Sequence, residues 1–225
     1  MKGDKYLAGI ACCFLSLALL LTVVDLCCFR VSFYKAEYQK NNAQAYTGMS
    51  EEDNLRATVT LLDYLRNLRD DIVVEAEVNG VRREVFNERE TLHMVDVKAL
   101  YQKAILFRNT AVVIGQAIVL YLLFRKKRTI RGILLDGFVP GNSALFAAVA
   151  AIGIWALADF DRFWTNFHLL FFDNDLWLLD PRTSIMINLF PGSFFFDLVI
   201  QIILVYLAVL ITVAVFTYYP IWRKK

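Results

Sequence analysis

Cysteine is missing where a secreted fold would need it. All four cysteines fall in the pairs Cys12-Cys13 and Cys27-Cys28, and the long polar stretch from Arg30 to Phe107 has none, so no disulfide framework is expected. Histidine is scarce, with only His93 and His168. No Gly-x-Ser-x-Gly elbow occurs, and Ser184 and Ser193 have no distinguishing context, which disfavours a serine hydrolase. There is no His-Glu-x-x-His and no clustered cysteine to mark a metal centre. No glycine-rich loop follows a strand, so nothing points to a nucleotide. The net charge of +2 says little by itself, and no nucleic-acid partner is expected.

What the chain has in abundance is apolar residues, 58% of the total, gathered in blocks rather than spread by period. Residues 7–24 carry no charge. Further runs lie at Asn109–Phe124, between Asp136 and Asp159, and at Leu198–Tyr219, each near the roughly 20 residues that span a bilayer. The second is short unless residues 104–107 are added, which places Arg108 inside it, about 25 Å from Arg125 at 1.5 Å per residue. The expectation is a polytopic α-helical membrane protein with four transmembrane helices.

Basic flanks orient the spans. Lys2, Lys5, Arg125, Lys126, Lys127, Arg128, Arg131, Arg223, Lys224 and Lys225 stand beside only Asp4 and Asp136, which puts both termini and the middle loop in the cytoplasm. The outer face is then rich in carboxylates, and the inner face suits anionic lipid. The organisation expected is span one with a short N-terminus in 1–29, an outer cap in 30–103, span two in 104–124 and a basic loop in 125–138. Span three in 139–159, an aromatic-acidic interfacial loop in 160–194, and span four with a basic tail in 195–225 complete it. The first run is not a cleaved or lipoprotein signal, because too few residues precede Cys12 and the apolar stretch runs too far. Its cysteines are read as packing residues.

The outer cap has a helix signal at Ser50 with Asp53 three residues on, followed by Leu55, Val59, Leu62, Leu65 and Leu68 at helical spacing. Residues 72–78 and 81–86 alternate about Asn79-Gly80, which predicts a β-hairpin. Asn87 with Glu90 opens a second helix, carrying Glu90, His93, Asp96, Leu100 and Phe107 along one side. A carboxylate from Glu90 or Asp96 would orient His93 and leave its other nitrogen free to take a proton. The alternative is a solvated face on which a histidine sits among charges. A straight helix would lift His93 about 22 Å from Arg108, so a surface role requires this helix to tilt, break or lie along the interface.

Between Asp159 and Asp197, aromatics such as Phe160, Trp164, Phe167, Phe172 and Trp177 interleave with Asp161, Arg162, His168, Asp173, Asn174, Asp175, Asp180 and Arg182. Aromatics at this density favour the headgroup level. Acids in so apolar a stretch need partners, and Arg108, Arg162 and Arg182 are the cations considered. A metal set of His93 and Asp96 with His168 and Asp173 or Asp175 is one reading, making a metal-dependent membrane hydrolase; general acid and base chemistry at a lipid surface needs fewer assumptions. A non-enzymatic module that binds a partner through its hairpin edge and acidic loops is the third.

The four spans, the stretch from Glu90 through His93-Met94-Val95-Asp96-Val97-Lys98, and above all Phe167-His168 to Asp173-Asn174-Asp175-Leu176-Trp177, with Pro191 and the phenylalanines beyond, resemble the bacterial lipoprotein intramolecular transacylase family, Lit. The resemblance implies a Gram-positive cell membrane. It implies transfer of an acyl chain from the glycerol sn-2 ester of a lipoprotein's diacylglyceryl-cysteine to that cysteine's α-amino group, giving an N-acyl S-monoacylglyceryl lyso-lipoprotein. Substrate and surroundings would be diacylated lipoproteins and membrane lipids, with no cofactor and no metal. Joined to the residues, it makes His93 the expected base and His168 the acid or oxyanion donor, or the reverse, with an acyl-histidine as rival. Glu90 and Asp96 would orient. Asp173 and Asp175 would support or bind the ammonium, Asn174 and Arg108 would serve the oxyanion, and Trp177 and Arg182 would contact substrate.

Overall fold

The computed structural model describes residues 2–126 and 129–222; Lys127, Arg128 and Arg223-Lys224-Lys225 of the basic flanks lie outside them. The elements run α1 (Lys2–Cys28), α2 (Val31–Lys40), α3 (Ala43–Thr47), α4 (Glu51–Leu65), β1 (Glu75–Val78), β2 (Val81–Glu84), α5 (Glu88–Lys126), α6 (Ile130–Ala158), α7 (Phe160–Phe171), α8 (Ile185–Leu189) and α9 (Gly192–Trp222). Four of these helices, α1, α5, α6 and α9, are long and apolar enough to cross a membrane. The protein is a polytopic helical membrane protein carrying one small two-stranded sheet.

The chain divides into two compact units. The first holds α1 to Leu26, Ala104–Trp155 and α9 from Ile200. In it the backbones of α1 and α6 touch: a Cβ added at Gly137 would lie 2.7 Å from Ala8 Cβ and from Gly9 N, and one at Gly141 would collide with Gly9. Small residues four apart permit such an approach, the device membrane helices use where lipid supplies no hydrophobic drive. Ion pairs tie α1 to its neighbours through Lys5 and Asp136 (2.7 Å) and Lys126 and Asp4 (3.5 Å).

The second unit holds Cys27–Lys103 and Ala156–Val199, so the two polar segments flanking the spans fold together. Its core joins Phe33, Tyr34 and Tyr38 of α2 to Leu61, Leu62 and Tyr64 of α4 and to Ile185, Met186, Leu189 and Phe194. Phe194 meets Phe33 and Tyr34, each with ring centroids 5.2 Å away. Ser50 caps α4 by accepting from Asp53 N at 3.0 Å, as expected. The buried face is phased differently from the expected one. Asn54, Ala57, Thr58, Leu61 and Tyr64 are buried, whereas Leu68 is 70% exposed and lies beyond the helix. Their polar atoms bond to other elements: Asn54 Oδ1 accepts from Thr47 Oγ1 at 3.0 Å, while its Nδ2 is buried without a partner, and Tyr38 Oη pairs with Thr58 Oγ1. The hairpin turns at Asn79-Gly80 with φ of 52° and 80°, and its strands are shorter than the alternation suggested, pairing Glu75 with Glu84 and Val78 with Val81.

Two further features concern helices. Helix α5 runs unbroken for 39 residues from the cap into the second apolar run, and the two units part within it, between Lys103 and Ala104. The aromatic-acidic segment is half helical: Asp159 Oδ1 accepts from Arg162 N at 3.1 Å and starts α7, which the expected loop did not contain.

Candidate active site

Helix α5 begins with a reciprocal cap. Asn87 Oδ1 accepts from Glu90 N at 3.0 Å, while Glu90 Oε2 accepts from Asn87 N at 2.6 Å. Glu90 is fully buried, and its other oxygen accepts from Ser184 Oγ at 2.6 Å and Met186 N at 2.7 Å. The carboxylate is consumed in fastening the first turn of α5 to the start of α8. It does not orient His93, which corrects the expectation. Ser184, seen in the sequence as having no context, is a buried N-cap that binds Glu90 and accepts from Ile187 N.

One turn along α5, before its apolar run begins, His93 is 8% exposed. It faces His168 of α7 with ring centroids 6.1 Å apart and planes tilted by 32°. The two histidines, 75 positions apart in sequence, meet inside the second unit. Phe172 touches both, 5.4 Å from His93 and 5.7 Å from His168. Trp177 stacks on His168 at 4.7 Å, and Trp164 meets it edge-on at 4.9 Å while stacking on Phe167 and Phe195. The pair sits buried in an aromatic box.

His168 Nδ1 lies 2.8 Å from the carbonyl oxygen of Trp164. A carbonyl only accepts, so Nδ1 carries the proton and Nε2 the lone pair. Burial lowers the pKa of His168, the Trp164 carbonyl opposing it. His93 is pushed down to about 4 by burial first and then by His168 and Arg89, with Asp96 opposing. Both imidazoles are therefore neutral at pH 7. His93 Nδ1 is buried without a hydrogen-bond partner, as is Arg89 Nε one turn earlier.

The segment after α7 is tied down over α5. Asn174 Nδ2 donates to Asp96 Oδ2 at 2.8 Å, its Oδ1 accepts from Leu176 N at 3.0 Å, and its carbonyl accepts from Trp177 Nε1 at 2.9 Å. Asn174 thus braces Asp96 through one N–H of its amide. Asp175 pairs with Arg89, its carboxylate 3.2 Å from the guanidinium, which also donates to the Asp175 carbonyl. Asp173 is exposed and lines a cleft of about 400 Å³ with Asp96, Lys103 and Phe172.

The expected cations differ. Arg108 pairs with Asp25 of α1 at 3.2 Å, and Arg182 forks onto Asp180 at 2.6 Å, so each has a carboxylate of its own. Arg89, absent from the expected set, is a cation at the site; its place beside Glu90 in the first turn of α5 is the available signal. Among the described residues no group of three or more His, Cys, Asp and Glu is arranged to hold a metal ion, so the two-histidine, two-carboxylate set does not assemble.

Four membrane-length helices with a buried histidine pair in the polar unit define a membrane-integral enzyme. The chain belongs to the lipoprotein intramolecular transacylase family, Lit, whose family model matches residues 10–195, and is accordingly a transacylase. Its fold is that of the membrane-integral lipoprotein intramolecular transacylase Lit from Bacillus cereus: the in meso structure aligns with a TM-score of 0.72 at 21% identity, covering 99% of this chain and 96% of that one. Two variants of that protein, with a histidine replaced by arginine or by alanine, align with TM-scores of 0.68 at 21% identity, covering 99% of this chain and 92% and 94% of theirs. The sequence matches no curated protein sequence at a significant level.

Proposed function

We propose that this transacylase moves an acyl chain from the glycerol sn-2 ester of a lipoprotein's diacylglyceryl-cysteine to that cysteine's α-amino group, using His168 as base and His93 as oxyanion donor. The observation that carries the proposal is the meeting of two buried imidazoles, 6.1 Å between centroids, in a box of aromatics. The amine nitrogen attacks the ester carbonyl, and His168 Nε2, whose lone pair is fixed by the Trp164 contact, accepts its proton. An unpaired buried N–H is rarer than an unpaired acceptor, so the partnerless Nδ1 of His93 holds the lone pair and its Nε2 the hydrogen that bonds to the tetrahedral oxyanion. Collapse breaks the carbon–oxygen bond to glycerol, and His168 returns the proton to that oxygen. One N–C bond replaces one O–C bond, and no cofactor enters the balance. Because donor and acceptor share a molecule, holding them in an attacking geometry supplies several kcal/mol of the barrier.

Asp96, braced by Asn174, stands with Asp173 to receive the α-ammonium before it loses its proton. The basic flanks support cytoplasmic termini and a site on the extracytoplasmic face, where the diacylated lipoproteins and membrane lipids lie. The test is mass spectrometry of the N-terminal peptide of a lipoprotein from a host that leaves it diacylated, with the wild-type protein, His93→Ala or His168→Ala expressed beside it. An N-acyl group made by wild type and lost in both variants is expected. An unchanged diacylglyceryl-cysteine, with wild-type protein folded in the membrane, overturns the proposal.

A further inference from the structure

The cleft of about 400 Å³ has a part that the chemistry above leaves unused. Its lining begins at Asp96 and at Phe172, the ring in contact with both histidines. Asp96, Leu100 and Lys103 follow at spacings of four and three, one stripe of α5, so the cleft extends about 10 Å along the helix at 1.5 Å per residue. It stops at Lys103, immediately before the residues that open the second apolar run. Leu169 and Leu170 of α7, 63% and 76% exposed, form its flank. Lys103 makes no ion pair among the described residues, whereas Arg89 holds Asp175 and Lys98 lies over the Tyr64 ring. The cleft thus starts at Phe172, the ring that touches both histidines, offers one unspent cationic donor, and has Leu169 and Leu170 in its lining.

We infer that this cleft holds the part of the diacylglyceryl group that is not transferred: the glycerol with its second ester, whose carbonyl oxygen accepts from the Lys103 ammonium. The inference rests on the reaction proposed above. Two ester carbonyls on adjacent glycerol carbons are near-equivalent electrophiles, and a histidine pair alone cannot choose between them. A donor fixed beyond the pair along α5 can, because anchoring one ester there presents the other to the attacking amine. The remaining chain leaves over Leu169 and Leu170. Lys103 is in this account a substrate-binding residue that sets which ester reacts, not a participant in proton transfer.

The experiment uses the full-length protein in mixed micelles with a synthetic diacylglyceryl lipopeptide whose two acyl chains differ in mass. Wild type is expected to place only the sn-2 chain on the amine. Lys103→Met is expected to raise KM about tenfold and to place the second chain on the amine in a readable fraction of the product, while Lys103→Arg keeps the wild-type pattern. Leu100→Trp, which fills the cleft beside the lysine, is expected to raise KM without restoring selectivity to Lys103→Met. Lys103→Met with unchanged KM and a single-chain product overturns the inference and leaves the proposed reaction standing. A wild-type protein that moves neither chain overturns both.

Discussion

His168 shows how much one backbone contact decides. The Trp164 carbonyl at 2.8 Å costs nothing beyond the helix that supplies it, yet it fixes the tautomer, and the stacked Trp177 ring keeps the imidazole dry. Burial that makes both histidines neutral also ties stability to pH. The unfolded chain protonates His93 near its ordinary value, about 6.5. The folded protein does so only near 4. Between those values the unfolded state holds the extra proton, so stability falls as pH drops through this window and is unaffected above it. Unfolding in detergent at stepped pH is expected to show this loss, up to about 3 kcal/mol, and His93→Asn is expected to flatten it. Activity should behave otherwise: the acid limb of kcat/KM follows the substrate α-amine, near 7.7 to 8.0, and not a group near 6.5. Asn174→Ala removes the brace on Asp96 and the side-chain acceptor of Leu176 N, and is expected to lower kcat/KM about tenfold, the rate equivalent of about 1.4 kcal/mol.

At the level of elements, the clamp at Glu90 joins two segments nearly a hundred residues apart in sequence. Three donors converge on one fully buried carboxylate, from Asn87, Ser184 and Met186. Glu90→Gln keeps the shape but offers an N–H where a donor already points, and is expected to cost about 1–3 kcal/mol, read as a lower thermal midpoint with His93 chemistry impaired in parallel. The sequence revealed the cap itself, because Asn87 and Glu90 are local and three apart. It hid the second partner, because nothing in the spacing links Glu90 to Ser184. The same division runs through the unit. Ser50 and the Asn79-Gly80 turn were legible since their geometry is settled within four residues. The inward face of α4 was misread because Asn54 and Thr58 are buried by virtue of bonds to Thr47 and Tyr38 on other elements, which no apolar pattern announces. Helix α7 reads as loop in the sequence because aromatic density masks its period, although its cap, Asp159, is in plain view. The two histidines were legible as a pair by scarcity; their mutual distance was not.

For the molecule as a whole, hydropathy located the four spans and could say nothing of how they hold one another. Lipid is as apolar as any leucine, so the contacts between spans depend on close approach and a few charges. Arg108 with Asp25, and Lys5 with Asp136, turn what the sequence offered as lone charges into fastenings of α1. Between them α1 lies against α6 at Gly9, Gly137 and Gly141, where any side chain meets backbone. Overpacking a close-packed contact costs about 1–3 kcal/mol, and here the obstacle is main chain that cannot rotate aside. Gly141→Leu is therefore expected to destabilise the protein by at least that much. Gly132→Leu is the matched control, since a Cβ there meets nothing within 4 Å on the same helix. Thermal unfolding of both variants in detergent, with N-acylation measured on whatever fraction stays folded, separates the spans' packing from the site's chemistry: the Gly141 variant should lose midpoint temperature and membrane yield, and the Gly132 variant should keep both. Equal midpoints for the two would mean that the close approach of α1 and α6 adds nothing to the Lys5–Asp136 ion pair.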